Sequence, residues 1–337
     1  MKVNSTDFAW MIKGFLTEYL PHQRGYGSNT ISSYKDALKK LVQYLSEAGY
    51  DLSSFQMKDL DKKLIIQFLE WLRKNGSSSS TANQRLAAIK TFCTYAQQEC
   101  IECLPDLQDI EGIKCKREEG REIQFLSVDQ MRTLINAPDS RNTTGFRHHL
   151  ILSLLYDSGC RVQELCDLRV GDITLGSDPV IILHGKGDKY RTVPISAEMA
   201  SLIEQYLERN TGISRLRTNL LITNKNRSAM SRDGVEYIIQ KYVDRIRKSD
   251  SSFPEHVHPH MFRHSKAMHM LASGVNIVYI RDFLGHENIE TTMIYAKADN
   301  ALKNKAINKL APKLVNETEF PDWSKDQDLL AYLKQFR

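Results

Sequence analysis

The sequence predicts a mainly α-helical protein, with an N-terminal four-helix bundle and a mostly helical second domain that contains one small antiparallel β-sheet. Two observations support this prediction. Apolar residues recur at spacings of three and four through most of the chain, as one buried face of an α-helix requires. Residues 180–195 instead show a strand, a charged glycine-rich turn and a return strand. With 337 residues, the chain is long enough for two domains.

The N-terminal part of the chain holds four segments with helical periodicity. The first runs from Phe8 to Tyr19, and the second begins at Ser28, the predicted N-cap, and ends near Gly49. The third ends at Gly76, and the serines that follow form a loop and start the fourth segment. Short loops between helices of similar length indicate a small bundle.

A charged stretch, CKREEGREIQF over residues 115–125, follows the bundle. Charged residues with one glycine and little apolar content are typical of a linker. We therefore predict a first domain over residues 1–113, a linker over 114–124, a second domain over 125–311 and a terminal segment over 312–337.

The second domain begins with helices and has its strands in the middle. Ser127 and Gln130 predict a capping box at its first helix. The next apolar segment breaks at Gly159, and the stretch from Val180 to Leu183 predicts the first strand of a hairpin. Helical periodicity resumes after the return strand and continues to the end of the chain.

Composition limits the classes of protein to consider. Hydrophobic residues make up 41% of the chain, which is ordinary for a globular protein, and no apolar run is long enough to cross a bilayer. The N-terminus carries Asp7 and Glu18 and lacks a signal-peptide core, so we expect a cytoplasmic protein without a membrane partner. A net charge of +5 permits a nucleic-acid partner but does not require one.

Cysteine usage does not indicate a metal centre. Cys100 and Cys103 form one C-x-x-C pair, whereas a strong zinc signature has two such pairs. In a cytoplasmic protein disulfides are also uncommon, so buried or incidental thiols are the preferred interpretation. The six cysteines are Cys93, Cys100, Cys103, Cys115, Cys160 and Cys166.

Several basic or polar residues lie at unusual positions in the second domain. Each has an ordinary explanation: Arg161 could pair with Glu164 three residues on, and Lys186 could be a solvated turn lysine. His260 and Arg263, one helical turn apart, could form a surface patch. The residues concerned are Arg161, Lys186, His260, Arg263, His286 and Tyr295.

Taken together, these six residues indicate a site for an anionic group. Two arginines can hold phosphate oxygens in bidentate contacts, and a lysine adds a cation that can also give up a proton. A tyrosine beside them is a candidate nucleophile. Arginine and histidine donors could stabilise the charge that develops when such a nucleophile attacks a phosphodiester, and no metal or cofactor is required.

Three ordered segments resemble the tyrosine recombinase (phage integrase) family. SGCRVQELCDLRVGDI is similar to the family's first arginine motif, and HGKGDKYRTVPI to its β-hairpin lysine motif. HPHMFRHSKAMHMLASGVNIVYIRDFLGHENIETTMIYAKAD is similar to the H-x-x-R-H segment followed by L-G-H and the tyrosine. The resemblance extends from the helical N-terminal region to about residue 311 and implies a core-binding bundle and a catalytic domain.

The resemblance also implies a role for each matched residue. Arg161 and Arg263 would hold the scissile phosphate, and Tyr295 would attack it to form a 3′-phosphotyrosyl link. Lys186 rather than Lys189 would protonate the 5′ leaving oxygen. His260 and His286 would hydrogen-bond the phosphate or assist proton transfer. Glu164 would support the site structurally, whereas His258, His264 and His269 match no catalytic position and are interpreted as scaffold.

The family resemblance further implies double-stranded DNA with specific recombination sites as partner, held in a C-shaped clamp between the two domains. A homotetramer, with a related recombinase or accessory factors in some systems, would carry out strand exchange. Phosphate contacts would supply most of the affinity, although a solvated surface charge is the alternative explanation at each position. The candidate contacts are Lys39, Lys40, Arg85, Lys90, Arg227 and Arg232.

The last residues of the chain predict an amphipathic helix, with Leu329, Leu330, Leu333 and Phe336 on one face. It could fold back on its own core or, as the family implies, dock on a neighbouring protomer. The tail is longer than in compact family members that resolve chromosome dimers, which favours the integrase or transposase of a mobile element. A chromosome-dimer resolvase, a type IB topoisomerase-like enzyme and a catalytically idle DNA-binding protein are the alternatives.

Overall fold

The structure, a computed structural model, describes residues 6–100, 103–116, 123–185, 189–209 and 216–298. The chain divides between residues 121 and 122 into two compact units. The fold is mainly α-helical, with one small antiparallel sheet in the second unit, so the predicted fold class is confirmed. Within the described ranges no helix is both long and apolar enough to span a membrane.

The first unit is entirely helical over its described residues. Its first helix continues directly into a π-helical segment that contains Pro21, and a short 3₁₀ turn over Met57–Asp59 precedes the third α-helix. The elements are α1 (Asp7–Gly14), the π-helical segment (Phe15–Gln23), α2 (Ser28–Glu47), α3 (Lys62–Lys74), α4 (Ser79–Glu99) and α5 (Leu104–Glu111).

Aromatic side chains fill the centre of the first unit. Phe15 and Phe92 are fully buried, and their ring centroids lie 5.3 Å apart in an edge-to-face arrangement. Tyr95 packs on Phe15 at 5.6 Å. Gly14 allows this contact, because a Cβ at that position would lie 2.6 Å from the Tyr95 hydroxyl oxygen. The π-helical segment and α4 therefore share one core.

The structure differs from the sequence analysis at three places in the first unit. Ser28 is the first residue of α2 rather than its N-cap, a position that Gly27 holds with extended backbone. Helix α5 was not predicted, because its eight residues are too few for a clear periodic pattern. Cys100 and Cys103 form a disulfide rather than free thiols, with their Cα atoms 5.6 Å apart, a distance that a disulfide can span.

The second unit contains the sheet and eight α-helices within its described residues. The predicted capping box is confirmed, with the Ser127 hydroxyl accepting from the Gln130 backbone N–H and the Gln130 side chain accepting from the Ser127 N–H. The elements are α6 (Val128–Asn136), α7 (Thr143–Asp157), α8 (Val162–Asp167), β1 (Ile173–Thr174), β2 (Val180–His184), β3 (Tyr190–Pro194), α9 (Ala197–Arg209), α10 (Arg232–Arg247), α11 (Pro259–Ala272), α12 (Ile277–Leu284) and α13 (Ile289–Ala298).

The sheet has the order β1-β2-β3 and is antiparallel throughout. Ile181 pairs with Val193, and both side chains are buried, whereas their neighbours along each strand are more exposed. This alternation fixes the register, because a slip of one residue would turn the apolar side chains towards solvent. The two-residue β1 adds an edge strand that the sequence pattern did not predict.

Candidate active site

The first arginine motif forms the start of α8. Gly159 precedes it with φ +56°, a left-handed conformation that glycine adopts without steric cost. A Cβ at Gly159 would lie 3.1 Å from the Phe283 ring and 3.2 Å from a Leu284 methyl group, so the loop packs closely against the end of α12. Arg161 follows as the N-cap of α8, and its backbone N–H donates to Glu164 Oε2 at 2.8 Å.

Glu164 lies between two guanidinium groups. Its carboxylate accepts from Arg161 Nη1 at 2.8 Å and from Arg191 Nη1 and Nη2 at 2.8 and 2.7 Å. Burial raises the pKa of the Glu164 carboxyl, but hydrogen bonds and charge from Arg191 and Arg161 outweigh this, and the net shift of the pKa is downward. The carboxylate is therefore ionised and joins α8 to β3.

The two arginines differ in their exposure. The Arg191 side chain is only 11% exposed, whereas that of Arg161 is 40% exposed beside the same carboxylate. Arg191 also donates through Nε to the Phe283 carbonyl, at 3.2 Å, so one guanidinium joins β3, α8 and the end of α12. One edge of the Arg161 guanidinium consequently faces solvent, whereas the Arg191 guanidinium is hydrogen-bonded within the protein.

Arg263, on α11, is buried beneath the same site. Its Nη1 donates to the Gly159 carbonyl at 2.8 Å and its Nη2 to the Leu284 carbonyl at 2.6 Å. Burial, together with the charges of Arg161 and Arg191, lowers the pKa of Arg263 to about 10. The side chain remains a cation at neutral pH and positions the loops before α8 and after α12.

Two of the predicted histidines lie beside these cations. Burial lowers the pKa of His260, as do the charges of His258, Arg263 and Arg161. Burial, followed by the charges of Arg263 and Arg161, lowers the pKa of His286 to about 4. Both imidazoles are therefore neutral at pH 7 in the unliganded protein and can donate one ring N–H each.

His286 is oriented by a buried hydroxyl. It lies in the loop after the left-handed Gly285 that ends α12. Its Nδ1 is 2.8 Å from Oγ1 of Thr292, which is fully buried on α13. Its ring stacks at 6.4 Å from the ring of Tyr295 on the same helix.

Tyr295 is buried, with 1% of its surface exposed. Its hydroxyl lies 2.9 Å from His264 Nδ1, a contact between α13 and α11. Burial raises the pKa of the Tyr295 phenol, and the charge of Arg263 opposes that shift. His264, interpreted from the sequence as scaffold, therefore contacts the predicted nucleophile, and His269 makes a similar contact with the Tyr156 hydroxyl at 2.9 Å.

A cavity of ≈ 680 Å³ opens above this cluster. Arg161 and His286 line it, together with Lys189 on the hairpin, which forms an ion pair with Glu287. Lys186, the predicted leaving-group acid, lies outside the described residues. Among the described residues, no group of three or more His, Cys, Asp or Glu side chains is arranged to hold a metal ion.

The structure therefore brings five of the predicted residues into one cluster through direct contacts and charge interactions. They are Arg161, His260, Arg263, His286 and Tyr295. Three further residues that complete it were not predicted. They are Arg191, His264 and Thr292. Thr292 lies six residues from His286 in the sequence, whereas Arg191 and His264 contact partners 27 and 31 residues away.

The candidate DNA contacts fall into two groups. Arg85 donates to the Ser77 hydroxyl, and Lys90 to the Ile113 carbonyl, so both already have partners within the first unit. Of the remaining candidates, Lys40 is half-buried and bonded to Gln43. The exposed candidates are Lys39, Arg227 and Arg232.

Comparison with known proteins places this arrangement in a family. Residues 124–301 match the Phage integrase family, and residues 12–100 match the phage integrase N-terminal SAM-like domain. The tyrosine recombinase of Pseudothermotoga lettingae is 30% identical over 87% of this chain and 96% of its own length. Tyrosine recombinase XerC of Staphylococcus aureus is 28% identical over 88% of this chain and 95% of its own length.

Solved structures share the fold. The Tn1549 transposon integrase in complex with transposon right end DNA superposes with a TM-score of 0.69, at 19% identity over 88% of this chain and 98% of that chain. The XerH site-specific recombinase bound to a palindromic difH substrate gives 0.67, at 23% identity over 85% of this chain and 81% of that chain. The chain belongs to the phage integrase family and is a tyrosine recombinase, a DNA breaking and rejoining enzyme.

Proposed function

We propose that the protein is a site-specific recombinase that cleaves and rejoins DNA through a 3′-phosphotyrosyl intermediate on Tyr295, and that it serves as the integrase or transposase of a mobile element. The observation that carries the chemical proposal is the cluster around Tyr295. Arg263 and His286 lie beside this tyrosine. Arg161 and His260 interact with Arg263, and both Arg161 and His286 line the cavity.

In this mechanism the scissile phosphate enters the cavity beside Arg161. Arg161 and Arg263 hold its nonbridging oxygens and stabilise the charge that builds up as phosphorus becomes five-coordinate. His260 and His286 donate hydrogen bonds to the same oxygens. The Tyr295 oxygen attacks phosphorus, the bond to the 5′ oxygen breaks, and Lys186 gives that oxygen its proton. Rejoining reverses these steps.

A suicide-substrate assay tests the proposal. Nicked duplexes that carry the DNA flanking the protein's own gene are incubated with the protein in EDTA and separated on a denaturing gel. The unsubstituted protein is expected to form a covalent adduct, and Tyr295→Phe none, because Phe lacks the attacking oxygen. Equal DNA binding by both proteins is the control. An adduct that persists in Tyr295→Phe would assign the nucleophile elsewhere.

Thr292→Val tests how far the orientation of His286 matters. Val removes the hydroxyl 2.8 Å from His286 Nδ1 and keeps a side chain of similar shape. We expect adduct formation to slow about tenfold, by analogy with the loss of a partner that orients a metal-bound imidazole, with little change in DNA affinity. Thr292→Ser retains the hydroxyl and is the matched control. A Val variant as fast as the Ser variant would show that the hydroxyl is dispensable.

The proposed DNA-bound state is a homotetramer on specific recombination sites, with contributions from accessory factors in the cell. Phosphate contacts from exposed Lys39, Arg227 and Arg232 supply sequence-independent affinity that falls steeply with salt. Lys40, Arg85 and Lys90 join them after exchanging their present partners. The terminal helix predicted over residues 312–337, which lies outside the described residues, couples neighbouring protomers.

A chromosome-dimer resolvase is the alternative role, favoured by the likeness to XerC of Staphylococcus aureus. That match covers 95% of XerC but 88% of this chain, so part of this chain has no counterpart in it. Sequencing of DNA covalently bound to the protein in cells separates the two roles. Adducts at the ends of a mobile element would support the proposal, whereas one fixed chromosomal site would support the resolvase.

A further inference from the structure

His264 holds a position in the site that no assigned role explains. Its Nδ1 is 2.9 Å from the Tyr295 hydroxyl, and the two rings lie 5.7 Å apart. A nucleophile and a base within hydrogen-bond reach of each other are the usual sign of an activated nucleophile. In the part of the chain that the structure describes, His264 is the side chain hydrogen-bonded to that oxygen.

The chemistry of Tyr295 creates a need for a proton acceptor. A phenol must lose its proton as its oxygen bonds to phosphorus, and burial raises the pKa of Tyr295, so the proton is held more firmly than in water. Arg263, which faces Tyr295, is a cation and cannot accept that proton. A neutral imidazole in contact with the oxygen can do so.

We infer that His264 is a catalytic residue that accepts the Tyr295 proton during DNA cleavage and returns it during rejoining. This inference rests on the proposed function of Tyr295. The O–H bond of Tyr295 breaks as the new O–P bond forms, and the proton moves to His264 Nδ1. The bond from phosphorus to the 5′ oxygen breaks, and that oxygen takes its proton from Lys186. In the reverse reaction His264 Nδ1–H protonates the departing tyrosine oxygen.

The surroundings of His264 suit this role once DNA is bound. Burial lowers the pKa of His264 to about 4, and the nearby charges of His260, His258 and Arg263 contribute in the same direction. His286 also lies close enough for its pKa to respond to His264. The imidazole is thus neutral in the free protein. A phosphodiester bound between the arginines adds negative charge that opposes these cations and raises the basicity of His264.

The chain offers a matched control on the same helix. His269 Nδ1 is 2.9 Å from the hydroxyl of another tyrosine, Tyr156, with ring centroids 5.8 Å apart. His264 and His269 are both half-buried on α11. Asn at either position keeps a hydrogen-bonding group near Nδ1 but cannot take up a proton at neutral pH. A purely structural histidine–tyrosine contact should therefore tolerate His→Asn.

The test measures the rate of covalent adduct formation on nicked suicide DNA from pH 5 to 9. We expect His264→Asn and His264→Ala to be slowed at least ~100-fold, the usual size of a general-base contribution. In the unsubstituted protein the rate of adduct formation should fall at low pH, because His264 becomes protonated. Both variants should lose this fall. His269→Asn should match the unsubstituted protein. Thermal unfolding and DNA binding confirm that each variant is folded.

A second substrate, with sulfur in place of the bridging 5′ oxygen, shows at which end of the reaction His264 acts. A thiolate leaves without protonation, so Lys186→Ala should recover its rate on this DNA, whereas the His264 variants should remain slow. If His264→Asn cleaves DNA at a near-normal rate, His264 only donates or accepts a hydrogen bond. If this variant cleaves faster than the unsubstituted protein, His264 normally holds Tyr295 back from attack. Recovery on the sulfur substrate would move its action to the leaving group. Each of these outcomes overturns the inference, while an adduct in Tyr295→Phe would overturn the proposed function instead.

Discussion

Replacing Glu164 with Gln is expected to lower the free energy of unfolding of the second unit by about 3 kcal/mol, the usual cost of leaving buried charge without its partner. The Glu164 carboxylate is buried and accepts hydrogen bonds from both Arg161 and Arg191. Gln preserves the shape but removes the negative charge and offers one carbonyl oxygen in place of two. Its amide N–H₂ would also face guanidinium donors.

Most of this effect should come from Arg191. Its side chain is only 11% exposed, so solvent has little access to replace the lost carboxylate, whereas Arg161 is 40% exposed and can be solvated. Arg191→Lys should therefore also be destabilising, because one ammonium cannot reproduce two parallel N–H···O bonds. Exposed ion pairs of the Arg161 kind contribute little to stability.

Urea unfolding and hydrogen exchange measure this prediction, and exchange in peptides from α7 and α11 reports on the second unit separately. Glu204→Gln, an exposed position on α9, is the control and should change stability by less than about 0.5 kcal/mol. If Glu164→Gln unfolds at the same urea concentration as the control, the carboxylate does not stabilise the site. Combining Glu164→Gln with Arg191→Lys in a double-mutant cycle gives the coupling between the two residues.

The elements that sequence predicted correctly depend on local patterns. The Ser127 capping box joins residues three positions apart, and the β2–β3 hairpin follows from alternation on both sides of a glycine-rich turn. The apolar faces of α1 and α4 repeat every three to four residues, and their burial follows directly. Each of these signals lies within one or two neighbouring elements.

Two of the three site residues that were missed depend on contacts between distant segments. Arg191 meets Glu164 across 27 positions, and His264 meets Tyr295 across 31. No periodicity links such pairs, and an arginine on a short strand is more often a solvated side chain. The motif that identified Arg263 also contained His264, but only the packing of α13 against α11 reveals that this histidine touches the phenol.

The disulfide illustrates a different limit. The sequence analysis favoured free thiols at Cys100 and Cys103, because the protein was expected in the cytoplasm and cytoplasmic proteins seldom contain disulfides. Whether two nearby cysteines can pair depends on the distance between them, and here Cys100 at the end of α4 and Cys103 at the start of α5 have Cα atoms 5.6 Å apart. That distance has no signature in composition, so the pair could be recognised only from the structure.

The second large effect is expected in the pH dependence of the free energy of unfolding, and it comes from a histidine outside the candidate active site. His148, on α7, is 6% exposed, and its Nδ1 lies 2.9 Å from the Tyr242 hydroxyl. Burial lowers the pKa of His148 to about 4, and the charges of Arg147 and Lys241 add to the shift. In the unfolded chain the pKa of a histidine returns to about 6.5.

The direction of the effect follows from these two values of the pKa. Above pH 6.5 His148 is neutral in both states, and its stabilising contribution is fully present. As the pH falls from 6.5 towards 4, the unfolded chain binds a proton that the folded protein excludes, so stability is lost. At pH 5 the loss from His148 is about 2 kcal/mol by this linkage.

Urea unfolding at pH 7.5 and pH 5.0, compared between the unsubstituted protein and His148→Gln, measures that loss. Gln can keep a hydrogen bond to Tyr242 but does not titrate, so the drop in stability between the two pH values should shrink by about 2 kcal/mol. Tyr242→Phe is the matched control: it removes the hydrogen bond at a cost of about 1 kcal/mol at both pH values and leaves burial, the main cause of the pKa shift, in place. An unchanged pH dependence in His148→Gln would mean that His148 is protonated inside the folded protein, and the lowered pKa would then be wrong.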